Sequence, residues 1–89
     1  MQITCSIVVA GKVQGVYFRQ SAREKAQESG ITGFVKNQAD GTVYIMATGT
    51  EERLESLLRW CRQGPPAAVV EAVTVERLPP QVFTSFIIR

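Results

Sequence analysis

The hydrophobic residues of this chain recur with a period of two, then about 3.6, then two, two, 3.6 and two, and that order leaves few folds open. Residues 3–9 alternate, with Ile3, Cys5, Ile7 and Val9 on one side and Thr4 and Ser6 on the other, as in a strand. Residues 19–29 hold Arg, Ser, Ala, Glu, Lys and Gln without Gly or Pro, which is helix composition. Phe18, Ala22 and Ala26 lie four apart and make a narrow apolar stripe, and Gly30 suits the position just past a helix end. Residues 31–37 and 42–48 read as two strands joined by the turn Gln38-Ala39-Asp40-Gly41, with Val43, Ile45 and Ala47 on one face. Thr50 is an N-cap followed by Glu51 and Glu52 in the positive first turn of a second helix. Leu54, Leu57, Leu58 and Cys61 fall at i, i+3, i+4 and i+7, its core stripe, and Gly64-Pro65-Pro66 ends it. Residues 69–77 are alternating and β-branched, a fourth strand; Pro79-Pro80 breaks the chain, and 82–88 form a short last strand with Phe86 and Ile88 on one side. The reading is α+β: a ferredoxin-like βαββαβ sandwich in one domain of residues 1–89, an antiparallel sheet with two helices on one face. That topology hosts many unrelated functions and decides none of them.

What the chain lacks narrows the chemistry. It has no histidine, which removes the commonest general base, the commonest metal ligand and every histidine-containing triad. Two cysteines, Cys5 and Cys61, are too few for a structural zinc site or a disulfide framework, and each falls on an apolar face, where it serves as core filler. No metal and no cofactor is expected. The net charge of +2 is too mild to argue for nucleic acid. No apolar run approaches the ~18 residues of a membrane helix. The first residues, Met1-Gln2-Ile3-Thr4-Cys5, lack the pattern of a secretory signal, so the expected location is the cytoplasm, with both thiols reduced.

The most informative stretch is Gly11-Lys12-Val13-Gln14-Gly15-Val16-Tyr17-Phe18-Arg19, between a strand and a helix start. Glycines there let the backbone aim several N–H groups inward, and such a nest at the positive end of a helix favours a phosphate-like anion. The planar fork of Arg19 can hold two phosphate oxygens. By physics alone the same residues fit a tight strand-to-helix connection with a solvated arginine better, because Gly-rich loops are common. Two familiar phosphate loops do not fit. A Walker loop needs Ser or Thr after Gly-Lys, where Val13 stands, and a cysteine-phosphatase loop starting at Cys5 would need Arg at position 11, which is Gly. A second stretch, Gly33-Phe34-Val35-Lys36-Asn37-Gln38-Ala39-Asp40-Gly41-Thr42-Val43, puts Asn37 at the mouth of a hairpin. Its amide offers a donor and an acceptor that can hold a water, or it can simply serve the turn.

Together the two stretches resemble the acylphosphatase family. The first matches that family's G-x-V-Q-G-V-x-F-R signature, with Lys12 and Tyr17 at variable places. The second matches G-x-V-x-N-x-x-D-G-x-V, with Phe34 where the family has Trp or Phe. The closing Ser85-Phe86-Ile87-Ile88-Arg89 is similar to the family's F-x-I ending, and Trp60 followed by Gly64-Pro65 is familiar in bacterial members. The resemblance implies hydrolysis of the carboxyl-phosphate bond of a small acyl phosphate to a carboxylate and inorganic phosphate, with no metal and no covalent intermediate. Carried over by position, it makes Arg19 the ligand of the phosphoryl oxygens. The backbone N–H groups of Gly15, Val16, Tyr17, Phe18 and Arg19 complete the cradle, and Asn37 orients the attacking water.

Other residues stay open at this stage. Tyr17 either lines the acyl pocket or packs, Lys12 either adds positive potential or is solvated, and Thr42 or Thr48 could reach the pocket. Trp60 is expected to pack against the sheet. RNA-recognition domains share this topology but carry a second aromatic in register, which Thr32-Gly33-Phe34-Val35-Lys36 lacks. Anion binding without turnover is the other alternative. No nucleic-acid or membrane partner is expected, and a monomer is the default.

Overall fold

The alternating segments pair into one five-stranded sheet, described for all 89 residues by a computed structural model. In chain order the elements are β1 (Ile3–Lys12), α1 (Phe18–Glu28), β2 (Thr32–Asn37), β3 (Val43–Gly49), α2 (Glu51–Gln63), β4 (Val69–Leu78) and β5 (Phe86–Ile88). The strands lie in the order β4-β1-β3-β2-β5. Both helices cover one face, and the core between them and the sheet is built from Ile7, Val9, Val35, Val43 and Ile45 of the strands, Phe18, Ala22 and Ala26 of α1, and Leu54, Leu57 and Cys61 of α2. These are the residues whose spacing the two periods mark. The Thr50 side chain caps α2 by accepting from Arg53 N at 3.3 Å, which for such a cap contributes about 1 kcal/mol.

The sheet is antiparallel at every pairing but one. β5 runs parallel to β2, with Gly33, Phe34 and Val35 opposite Phe86, Ile87 and Ile88. The reason is topological. β4 and β2 point in opposite directions, and the chain reverses once through residues 79–85 before adding β5 at the far edge. A strand antiparallel to β4 is parallel to β2. That crossing also shortens the last strand, which begins at Phe86 rather than at residue 82. The segment lies over the face without helices. There Gln81 N donates to Thr4 Oγ1 at 2.9 Å, and Thr48 Oγ1 donates to the Gln81 carbonyl at 2.9 Å. Thr4 and Thr48 are themselves 2.7 Å apart and buried, so a face that alternation marks as polar is covered and satisfied.

β1 extends to Lys12, beyond the alternating stretch, because it pairs with Val69 at its end. Its register with β4 shifts between Ala10 and Gly11. Bulges of this kind bend a strand and re-aim the chain beyond it. Here that chain is the loop leading into α1.

Candidate active site

Residues 13–17 cross from the end of β1 to the start of α1 as an irregular loop. Its φ angles alternate in sign: Gly15 is at +72°, Val16 is negative and Tyr17 is at +69°. Tyr17 is the only residue other than glycine with positive φ. A bulky residue there costs of order 1–2 kcal/mol, which the surroundings must over-determine. They do so from both sides. Val16 is buried in the core, and Phe18 is 2% exposed with its ring 5.1 Å from that of Trp60. Trp60 thus braces the first residue of α1. Between these two anchors Tyr17 is turned outward, 64% exposed.

The consequence is a row of free donors. The backbone N–H groups of Gly15, Val16, Tyr17, Phe18 and Arg19 donate to no acceptor within the protein; the first bond of the segment is Ser21 N to Tyr17 O at 3.2 Å. Alternating φ signs form an anion-binding nest, and the helix N-terminus adds its partial positive charge. No acidic residue occupies the first turn of α1 to claim that charge.

A pocket of about 240 Å³ lies against this loop, lined by Val13, Gly15, Tyr17, Phe18, Arg19, Gln20 and Asn37. Arg19 is its single formal charge, and its guanidinium is in no hydrogen bond or ion pair within the protein. Asn37, the last residue of β2, reaches the pocket from the other side. Its Oδ1 is enclosed and has no partner. A buried acceptor left unpaired is uncommon and points to a group supplied from outside the chain. A larger hollow, about 320 Å³, runs along α2 between Glu55, Leu58, Arg59 and Arg62. Its backbone N–H groups are committed to the helix, so size alone does not make it the site.

Five of the six residues singled out from the sequence therefore line one pocket: Gly15, Tyr17, Phe18, Arg19 and Asn37. Val16 contributes its N–H while its side chain belongs to the core. Lys12 is exposed at the end of β1 and does not line the pocket. Thr42 and Thr48 do not reach it either. Thr48 is buried against Thr4, and Thr42 ties the hairpin turn, its Oγ1 donating to Asp40 Oδ1 at 2.6 Å and its N–H to the same oxygen at 3.0 Å. Those two bonds hold the Asp40 carboxyl below the ordinary carboxylate range.

In the sequence Gln14 is no more than a letter of the motif. In the fold its Nε2 donates to the carbonyls of Gln38 at 2.8 Å and Thr42 at 2.9 Å, across the mouth of the hairpin beyond Asn37. The cysteines lie away from the pocket in the core. Burial, with Cys5 nearby, pushes the Cys61 thiol up to about 12, and burial raises Cys5 as well. Neither is an activated nucleophile. No grouping of three His, Cys, Asp or Glu side chains is placed to hold a metal ion, and no helix is long and apolar enough to cross a membrane.

The chain is similar to known proteins over nearly its whole length. A curated acylphosphatase of Marinobacter nauticus is 49% identical over 81 residues, 90% of this chain and 88% of its own. The fold superposes on an acylphosphatase from Coxiella burnetii with a TM-score of 0.96 at 39% identity, covering 99% of this chain and 93% of the other. It superposes on the Bacillus subtilis acylphosphatase with a TM-score of 0.95 at 33% identity, covering 100% and 99%. The acylphosphatase family model matches residues 5–88, and the chain belongs to that family of hydrolases acting on acyl phosphates.

Proposed function

We propose that the pocket beside the β1–α1 loop is where the acyl phosphate is hydrolysed, with Arg19 and Asn37 as the catalytic residues. The observation that carries this is the row of five backbone N–H groups without an acceptor, beside a pocket that also holds one guanidinium and one carboxamide. The N–H groups of Gly15 to Arg19 and the Arg19 fork receive the phosphoryl oxygens. Asn37 holds a water across from them, in line with the P–O bond to be broken. The water oxygen bonds to phosphorus as the bond to the acyl oxygen breaks, and the carboxylate leaves with the bonding electrons. The water's proton goes to the phosphate itself or to solvent, since no carboxylate, imidazole or thiol lines the pocket.

The substrate makes so spare a site sufficient. A carboxylate is a weakly basic leaving group and needs no acid to help it depart. Charge spreads over the equatorial oxygens of the transferring group, and donors already in place stabilise it without reorganising. Positioning and electrostatics supply the rate, with no metal and no covalent intermediate.

Two further expectations are part of this reading. Residues 1–89 act as one domain. The chain works as a monomer, its large exposed apolar side chains being few: Met1, Tyr17, Val69, Val75, Val82 and Ile87. The test is hydrolysis of acetyl phosphate with a metal chelator present, for the wild type and for Asn37→Ala. Full wild-type activity is expected, with a kcat about 10²-fold or more lower in the variant and little change in inhibition by phosphate. Equal losses of kcat and phosphate affinity would make Asn37 a structural residue, and loss of wild-type activity to the chelator would overturn the metal-free reaction.

A further inference from the structure

We propose that Gln14 is a positioning residue, a clamp that sets the distance between the phosphate cradle and Asn37. This rests on the reading of the site given above. Gln14 immediately precedes the cradle, and Gln38 is the next residue after Asn37. The Gln14 carboxamide bridges the two segments, its Nε2 donating to Gln38 O at 2.8 Å and to Thr42 O at 2.9 Å. These contacts span 24 and 28 residues of sequence, so nothing local enforces them. An amide nitrogen carries two N–H groups, and both are used.

The clamped turn is a rigid unit. Gln38 N donates to Thr42 O at 2.9 Å, and Gln38 Nε2 donates to Thr42 Oγ1 at 2.8 Å. Asp40 accepts from the Thr42 side chain and N–H. The turn is braced within itself and moves as one piece, carrying the end of β2. Asn37, in contrast, has no side-chain hydrogen bond within the protein, and its Oδ1 is enclosed without a partner. Its location is set by its backbone, the last pair of the β2–β3 ladder, opposite Val43. The carbonyl that Gln14 grips belongs to the very next residue. Without the clamp the cradle keeps its shape, because Val16 and Phe18 anchor it in the core. The turn keeps its own bonds. What is lost is the registration of one against the other. A misplacement of about 1 Å between reacting groups can cost on the order of 10²-fold in rate.

The chemistry at position 14 is specific. A glutamate has the same shape but would set carboxylate oxygens against two carbonyl oxygens. A methionine has a similar length and donates nothing.

The experiment compares Gln14→Met, Gln14→Glu, Asn37→Ala and Gln14→Met combined with Asn37→Ala. Acetyl phosphate turnover, inhibition by inorganic phosphate and urea unfolding are measured for each. Both Gln14 variants are expected to stay folded and to lose about tenfold to 10²-fold in kcat, with phosphate inhibition within about threefold of wild type. In the Asn37→Ala background the Gln14→Met change is expected to cost less than about threefold more, because the two residues serve one alignment. Losses that multiply in the double variant would overturn the proposal. So would parallel losses of kcat and phosphate affinity, turnover within about twofold of wild type in Gln14→Met, or failure of both Gln14 variants to fold, which would make the clamp a requirement of the fold. Wild-type kcat in Asn37→Ala alone would instead bring down the site reading on which the clamp rests.

Discussion

Replacing Arg19 with glutamine should abolish most activity while making the protein more stable. The two effects come from the same position. Arg19 lies in the first turn of α1, where the helix presents its positive end, and no acidic residue in that turn offsets it. A cation there is disfavoured by roughly 0.3–1 kcal/mol at low ionic strength. Its guanidinium makes no intramolecular hydrogen bond that its removal would break. Neutralising it should therefore raise the melting temperature by about 2–5 °C, taking ~5 °C per kcal/mol for a domain of this size. The loss of activity comes from Coulomb's law. Two unit charges about 4 Å apart attract by ~4 kcal/mol at an effective dielectric of ~20. The pocket is open to water, which lowers that figure, and removal of one preorganised donor commonly costs about 10²–10³-fold. The assay is benzoyl phosphate hydrolysis monitored by ultraviolet absorbance, with inhibition by inorganic phosphate and a thermal melt on the same preparation at low salt. The expected pattern is kcat/KM down by about 10²–10³, phosphate inhibition weakened, and melting temperature up. Near-normal turnover, or activity and stability falling together, would refute the assignment of Arg19 to the phosphoryl group.

Two other predictions concern the fold. Gly33→Ala should destabilise by more than about 4 kcal/mol, a large part of the ~4–13 kcal/mol available to a domain of this length. A Cβ at position 33, where φ is +139°, would stand 1.9 Å from the Met46 carbonyl oxygen, a backbone atom of the paired strand; a loss under about 1 kcal/mol in urea unfolding would show that the strands can part without cost. The second concerns alkaline pH. The Cys61 thiol is raised to about 12 in the fold, whereas an unfolded thiol ionises near pH 8.5. The stabilisation is complete below that pH and falls as pH rises toward about 12, by up to ~1.4 kcal/mol per pH unit. Urea unfolding between about pH 8 and 11 should show a shallower decline in Cys61→Ala than in wild type; equal slopes would mean the thiol is not held neutral by the core.

Much of this molecule is legible along the chain because its determinants are local. The alternation in residues 3–9, the Phe18-Ala22-Ala26 stripe and the Thr50 cap with Leu54, Leu57 and Cys61 behind it act over single turns or strand pleats, and the elements form where they indicate. The signature residues Gly15 to Arg19 and Asn37 stand out through their match to a family pattern rather than through local physics, which by itself allows a plain connection and a plain turn; the fold then brings Gly15, Tyr17, Phe18, Arg19 and Asn37 to one pocket. The features hidden from that reading depend on which segments meet. The parallel pairing of β5 with β2 comes from the path of residues 79–85 across the sheet, and the burial of Thr4 and Thr48 is a result of that path. Trp60 bracing Phe18, and Thr42 tying the turn rather than facing the pocket, are likewise outcomes of packing. Gln14 shows the difference most clearly. A half-buried glutamine in a loop carries no periodic or propensity signal, and only the folded chain brings its two N–H groups to carbonyls 24 and 28 residues away. Local pattern settles what each segment becomes; long-range hydrogen bonding decides how the segments are held against one another.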